Sequence, residues 1–359
     1  MHPDYNALVR RLVPGGTLVS VEPLSPDAGA TANATGKAAG YGEPVRLVTA
    51  DREGRPHQFV FRVAGANEFG HDRRSDRAAE TLLAYDGFSE IPNHVVPVDV
   101  GAVHSSGRLV SLTDTRELYL VTTYAPGTVY ADDLRRLARG EPVSEQDLQR
   151  LEALAVYLTD LHIPIANGEH RYRRAIRDLV GSGEGIFGIV DGYPADVPGA
   201  PLDRLLAIEA SCASWRWRLR DRTDRLARTH GDFHPFNIVF DNLAPTFLDS
   251  SRGGCGDPAD DITALAINFV LFAIDARESW KGGLGMLWQR WWQTCSALRP
   301  DPELLHVVPP FFAWRALVVC NPRFYPNLSA EARGALLELA ERALDAGHLD
   351  PAWAENLFP

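Results

Sequence analysis

The chain contains little of what disulfide-linked, zinc-binding or membrane-spanning proteins need. Its 359 residues include only 4 cysteines, none of them in a C-x-x-C pair, which argues against a disulfide framework or a zinc site. The most apolar stretch, Ile262 to Ile274, is too short to span a membrane and reads as a buried helix. The first residues lack the basic-then-apolar order of a signal peptide. These absences predict a cytoplasmic protein that does not bind a membrane.

The chain also lacks an excess of positive charge. It carries 47 acidic and 36 basic residues, a formal net charge of −11, so nucleic acid is not expected as a ligand. A cationic small molecule would be attracted, although the same charge also serves solubility. With 45% hydrophobic residues the chain can bury a sizeable core, and its length suits about two domains.

Oxygen-bearing side chains are concentrated beside two short apolar segments. Asp232 and Asn237 precede an Ile-Val-Phe segment, and Asp249 follows a Thr-Phe-Leu segment after a turn. Two short strands joined by a turn form a hairpin, which brings all three side chains to one end. Such a cluster suits Mg²⁺, which takes one or two carboxylates when it also binds substrate phosphates.

The spacing of these residues matches a catalytic loop. His230, Asp232 and Asn237 reproduce the His-x-Asp-x-x-x-x-Asn pattern of protein kinases, and Asp249 corresponds to their second, metal-holding aspartate. Gly231 stands where protein kinases have arginine, and Ser-Ser stands where they have Phe-Gly. Both departures argue against a protein kinase.

The same segment resembles the aminoglycoside phosphotransferase and choline kinase family. The shared residues are His-Gly-Asp-x-x-x-x-Asn, a later Leu-Asp, and the Gly-Asp-Pro-x-x-Asp tail at 256–261. The resemblance implies an α+β, bilobal protein-kinase-like fold. Residues 1–123 would form a mostly antiparallel β N-lobe with one αC-like helix. Residues 124–359 would form a helical C-lobe with the catalytic loop and the acceptor pocket.

The resemblance also implies a reaction and its parts. The γ-phosphate of ATP or GTP would pass to a hydroxyl of a small, cationic or sugar-like acceptor, with Asp232 as catalytic base. Asn237 and Asp249 would hold Mg²⁺ against the triphosphate, and His230 would brace the loop. The alternative is a nucleotide-binding regulatory protein of the same fold that does not turn over.

Three further residues are implied to bind the nucleotide. Arg62 takes the place of the usual phosphate-binding lysine, and Glu80 would orient it through an ion pair. Leu118 to Tyr124 reads as a strand leading into the hinge, where Tyr124 would contact the purine. Alternatively, Arg62 is an ordinary surface arginine, Glu80 is a solvated acid on a helix, and the residues after Tyr124 form an ordinary turn. The glycine-rich stretch 25–43 is either a loop over the phosphates or a plain connecting loop.

Overall fold

The chain divides into two compact units, Met1–Thr122 and Thr123–Pro359. The computed structural model describes residues 3–24, 44–67, 70–92, 94–250 and 254–358. The glycine-rich stretch 25–43, predicted as a phosphate loop or a plain loop, lies outside the described residues. Within the described ranges, every helix is too short or too polar to pass through a lipid bilayer.

The first unit is built on a three-stranded antiparallel sheet in the order β1 (Thr17–Pro23), β2 (Val45–Ala50) and β3 (Pro56–Phe61). Its turn between β2 and β3 closes because Asp51 Oδ1 accepts the backbone N–H groups of Glu53 and Arg55, at 3.0 and 2.9 Å. Alternate residues of β2 point inward, and Leu47 is fully buried. The elements are α1 (Tyr5–Leu12), β1 (Thr17–Pro23), β2 (Val45–Ala50), β3 (Pro56–Phe61), α2 (Arg74–Gly87), β4 (Gly101–Val103) and β5 (Leu109–Ser111).

The second unit is mainly helical, around one large apolar core. The tryptophans between residues 280 and 292 belong to that core, with Trp288 and Trp291 fully buried. The elements are β6 (Thr128–Val129), α3 (Tyr130–Ala138), α4 (Glu145–Leu161), α5 (Glu169–Gly181), α6 (Ile186–Asp191), α7 (Leu202–Leu219), β7 (Ile238–Asp241), β8 (Ala244–Phe247), α8 (Pro258–Ile274), α9 (Gly285–Leu298), α10 (Leu304–Val307), α11 (Pro309–Cys320) and α12 (Ala330–Ala346).

The predicted hairpin is present as β7 and β8. Ile238 pairs with Phe247 and Asp241 with Ala244, while β6 adds a third strand beside β7. Asn242 takes a positive φ of 55° in the two-residue loop, a conformation that asparagine tolerates better than most residues. The hairpin therefore places the residues before β7 and after β8 at the same end.

Helix α8 begins where the Gly-Asp-Pro tail predicts a helix start. Asp257 caps it by accepting the Ala259 N–H at 3.0 Å, and Pro258 occupies the first turn, where the missing proline N–H is harmless. The helix is apolar almost all round, and all but Asp260 and Phe272 of its 17 residues are buried. It forms a rigid support directly after the catalytic segment.

The strand predicted from Leu118 to Tyr124 is wrong. These residues have no regular secondary structure, and Tyr119 and Tyr124 are 92% and 87% exposed. A strand forms only where a neighbour supplies hydrogen bonds, and in the described ranges β4 and β5 pair with each other alone. An apolar run without a partner strand therefore stays irregular.

Candidate active site

The backbone of the catalytic loop is held by one buried carboxylate, that of Asp261. Its two oxygens accept the N–H groups of His230 and Gly231, each at 2.8 Å. The His162 Nε2 atom lies 3.0 Å from the same carboxylate. Asp261 is fully buried in the first turn of α8, where negative charge is favoured. Three polar partners satisfy this buried charge and keep the loop in one conformation.

A second buried carboxylate, Asp257, anchors the start of α8. It accepts Arg225 Nε and Nη2 at 2.8 and 3.0 Å, and the Tyr172 hydroxyl at 2.9 Å. Burial and the adjacent Asp257 charge raise the pKa of Tyr172 above its ordinary value, so the phenol stays protonated and donates. The sequence predicts that Asp257 and Asp261 stabilise the turn and helix start. The structure shows the bonds by which each does so.

His230 braces the loop through its ring. Its Nδ1 accepts the Asp232 N–H at 3.3 Å. Burial lowers the pKa of His230, more than the nearby Asp261 and Asp232 charges raise it. A neutral imidazole leaves Nδ1 able to accept this bond.

Asp232 has a partner on each carboxylate oxygen. Arg315 Nη1 donates to Oδ1 at 2.7 Å, while Asn237 Nδ2 and His234 Nε2 each lie 3.3 Å from Oδ2. Burial by itself would raise the pKa of Asp232. The hydrogen bond with His234 and the charge of Arg315 outweigh it and hold that pKa well below its usual range. Asp232 is therefore an oriented carboxylate.

Arg315 is the residue of this site that the sequence analysis misses. It lies on α11 and is only 5% exposed. Its Nη2 donates to the Gly231 carbonyl at 3.2 Å and to Asp260 Oδ1 at 2.9 Å, and its guanidinium stacks on Trp314 at 3.9 Å. An arginine within the apolar run Phe-Phe-Ala-Trp-Arg-Ala-Leu is the only signal in the sequence, since a buried arginine needs anionic partners.

Asn237 and Asp249 lie on adjoining segments of the hairpin. The Leu248 N–H donates to the Asn237 carbonyl at 2.8 Å, and Asp249 follows directly. Asp249 has a positive φ of 51°, a sparsely populated conformation for aspartate. Its exposed side chain lines a cavity of about 340 Å³ together with His230, Phe247 and other residues of the second unit.

The donors in this region fit Mg²⁺. Asn237 uses Nδ2 for its bonds to Asp232, and its Oδ1 accepts no hydrogen bond from the described residues. Asp249 supplies an exposed carboxylate. The described ranges contain no cluster of three or more histidine, cysteine, aspartate or glutamate side chains that would enclose a metal. Two oxygen donors suit an ion that keeps waters and substrate phosphates in its other positions.

Comparison with known proteins identifies the family. The sequence model described as "Phosphotransferase enzyme family" matches residues 37–300, about three quarters of the chain. The chain belongs to the phosphotransferase enzyme family. The match includes the whole stretch from the catalytic loop to α8, as the resemblance in the sequence predicts. The predicted mixed α and β fold, with small antiparallel sheets and a helical second unit, is also confirmed.

The proteins to which the chain is similar include kinases named for different small molecules. A glucosamine kinase of Streptacidiphilus jiangxiensis is 31% identical over 170 residues, which is 44% of this chain and 35% of that protein. The chain thus matches about a third of the length of this curated relative. A glucosamine kinase solved with glucosamine, ADP and inorganic phosphate is 14% identical with a TM-score of 0.40, and each chain is covered completely. An aminoglycoside phosphotransferase of Streptomyces rimosus is 16% identical with a TM-score of 0.33, over 89% of this chain and 98% of its own.

The residues predicted to bind the nucleotide do not meet one another in the described structure. Arg62 follows β3 with an exposed side chain. Glu80, on α2, is partly buried, and its carboxylate lies 3.3 Å from His71 Nε2. Tyr124, from the irregular segment at the start of the second unit, is 87% exposed. Within the described residues, Glu80 therefore pairs with His71 and forms no ion pair with Arg62.

Proposed function

We propose that this protein transfers the γ-phosphoryl group of ATP or GTP to a hydroxyl group of a small molecule. The observation that carries the proposal is the Asp232 carboxylate, oriented on a loop held by Asp261 and bonded to Asn237. Phosphoryl transfer depends on positioning and charge neutralisation more than on covalent chemistry by the protein. An oriented carboxylate beside two further oxygen donors meets both needs.

Asp232 acts on the acceptor in this proposal. Its carboxylate accepts a hydrogen bond from the acceptor hydroxyl and aims the oxygen at the γ-phosphorus. As the new oxygen–phosphorus bond forms and the bond to the β-phosphate oxygen breaks, the hydroxyl proton passes to Asp232. A carboxylate with a low pKa is a weak base, so the proton moves late, once the acceptor oxygen has begun to bond to phosphorus.

The donor nucleotide is assigned to the residues that the family resemblance implies. Asn237 Oδ1 and the Asp249 carboxylate would hold Mg²⁺, which would neutralise charge on the phosphates. Arg62 and Glu80 are assigned to the phosphate end of the nucleotide, and Tyr124 with its neighbouring peptide groups is assigned to the purine. The side chains of Asp249, Arg62 and Tyr124 are exposed, and those of Asn237 and Glu80 are partly covered.

The acceptor is proposed to be sugar-like, with an amino sugar as the first candidate. The curated relative is a glucosamine kinase, and a cationic amine suits a chain with a net charge of −11. A neutral polyol remains the second class to test.

The experiment that tests the proposal separates turnover from nucleotide binding. Purified protein is screened with glucosamine, other sugars, aminoglycosides and nucleosides, and release of ADP or GDP is measured with Mg²⁺ present. Asp232→Asn is expected to abolish turnover while nucleotide affinity is kept. Asp241→Asn, an exposed aspartate at the other end of β7, serves as the matched control and is expected to keep full activity.

The second candidate is a regulatory protein that binds nucleotide without turnover. Tight Mg²⁺-nucleotide binding with no ADP or GDP release across the whole panel would favour it. An Asp232→Asn variant with unchanged turnover would contradict the role of Asp232 directly.

A further inference from the structure

The Arg315 side chain connects three parts of the site through one guanidinium. Nη1 reaches Asp232 Oδ1 at 2.7 Å, and Nη2 reaches both the Gly231 carbonyl and Asp260 Oδ1. A lysine ammonium has no fixed planar fork and would not hold this set of partners in one geometry. The guanidinium of Arg315, which lies on α11, therefore links the catalytic loop to the first turn of α8.

We propose that Arg315 is the positioning residue of this active site, fixing the Asp232 carboxylate and supplying its counter-charge. The inference rests on the proposed function, because Asp232 must be the acceptor-binding base for its position to matter. With Oδ1 held by a buried cation, the acceptor hydroxyl is received by Oδ2. The partner that gives way there is His234, whose side chain is 28% exposed, against 6% for Arg315.

Other charged groups around Asp232 do not replace this counter-charge. The His230 ring bonds the backbone N–H of Asp232 and not its carboxylate, and Asp260 carries the same charge as Asp232. Burial, followed by the Asp232 charge, raises the pKa of Tyr325, so its phenol is neutral. His234 lies 3.3 Å from Asp232 Oδ2, but its side chain is more exposed than that of Arg315. The Arg315 guanidinium, which is always charged, is therefore the buried cation on Asp232.

The first test needs no acceptor. The melting temperatures of protein with Asp232 and with Asp232→Asn are compared at pH 7, once with Arg315 and once with Arg315→Met. With Arg315, the protein with aspartate is expected to be the more stable one, because the buried cation pairs with the carboxylate. With Arg315→Met, that advantage is expected to be absent or reversed. An equal advantage in both backgrounds would overturn the proposal.

Two further variants control for loss of a buried arginine. Arg333 is also 5% exposed but donates to the carbonyls of Cys320 and Tyr325, so Arg333→Met is expected to lower stability without changing the Asp232 dependence. Arg315→Lys keeps the charge, so it is expected to fold and to recover part of the effect. If Arg315→Met does not fold, Arg315→Lys decides the question. If aspartate and asparagine at position 232 differ in stability by the same amount in the Arg315→Lys protein as in the parent protein, the planar guanidinium is not needed and the proposal is overturned.

The second test uses any acceptor found in the screen. In Arg315→Met, kcat is expected to fall by roughly a hundredfold while the KM for the nucleotide stays unchanged, because the base is misplaced and the nucleotide contacts are kept. Arg315→Lys is expected to recover part of kcat. An equal fall of kcat in Arg333→Met would assign Arg315 a structural role only. If no acceptor is turned over while the stability dependence holds, the Arg315 assignment stands and the proposed activity fails.

Discussion

Helices α2 and α8 show how differently the two units support their predicted functional residues. The first, of 14 residues, has none buried, and it carries Glu80. The second, of 17 residues, is buried except at Asp260 and Phe272. Both exceptions lie beside the site, since Asp260 binds Arg315 and Phe272 stacks with Phe236. Residues built on a rigid buried element are held more precisely than residues on a surface helix.

The difference indicates where substitutions should act on folding and where they should act on binding alone. In the second unit the loop around Asp232 depends on buried carboxylates, so its geometry and its stability are linked. In the first unit Arg62 is exposed and Glu80 is partly covered, so these residues contribute less to folding. The predictions below test this contrast, beginning with the largest expected effect.

Asp261→Ala is expected to be the most damaging single change. It leaves the N–H groups of His230 and Gly231 and the His162 ring without their acceptor inside the protein. Loss of one partner of a buried charged group costs about 3–5 kcal/mol. Denaturant unfolding of the variant measures the loss. The exposed Asp221→Ala, with its surface ion pair, is the control, and a loss no larger than the control's would contradict the assigned role of Asp261.

Leu47→Ala tests whether the first unit has a core of its own. Leu47 is fully buried in the central strand β2. Truncation of a buried leucine to alanine lowers the free energy of unfolding by about 2–5 kcal/mol, and we expect about 2–3 kcal/mol here. Hydrogen exchange should show the loss of protection within residues 1–122. Val60→Ala, at a position that is 65% exposed on β3, should leave protection unchanged. Equal effects in the two variants would remove the distinction between the faces of this sheet.

Tyr172→Phe removes one hydroxyl that donates to the buried Asp257. Hydrogen bonds to charged groups contribute about 1.5–3 kcal/mol, and Arg225 remains as a partner, so the loss should be about 1.5 kcal/mol. The midpoint of thermal unfolding reports it. Tyr119→Phe changes a phenol that is 92% exposed and should have no effect. An unchanged midpoint for Tyr172→Phe would show that Arg225 alone satisfies Asp257.

Arg62→Gln should have the smallest effect on folding and a clear effect on binding. The side chain is exposed, so the melting temperature should not change. Loss of one charged phosphate contact should weaken nucleotide affinity roughly tenfold, as isothermal calorimetry would measure. The exposed Arg52→Gln in the same unit is the control. Equal affinities for all three proteins would remove Arg62 from the proposed nucleotide site.

Local patterns account for what could be predicted. The hairpin and the spacing of Asp232 and Asn237 are set within a few residues, so the letters alone predict them. The strand at 118–124 could not be decided in this way, because a strand forms only when it pairs with a neighbour. The contact of Glu80 with His71 depends on tertiary structure, and local spacing does not predict it.

Arg315 shows most clearly what the sequence alone predicts and what requires the tertiary structure. The sequence by itself determined the family, the α+β fold class and the catalytic-loop pattern, because these follow from local hydrophobic patterns and from a motif whose uncommon residues stand at fixed spacings. Only the tertiary structure decided which charges meet at Asp232. Its counter-charge comes from 83 residues further along the chain, in a helix whose letters predict only burial. Packing brings that guanidinium to the loop, and a buried charge is stable only beside its partners.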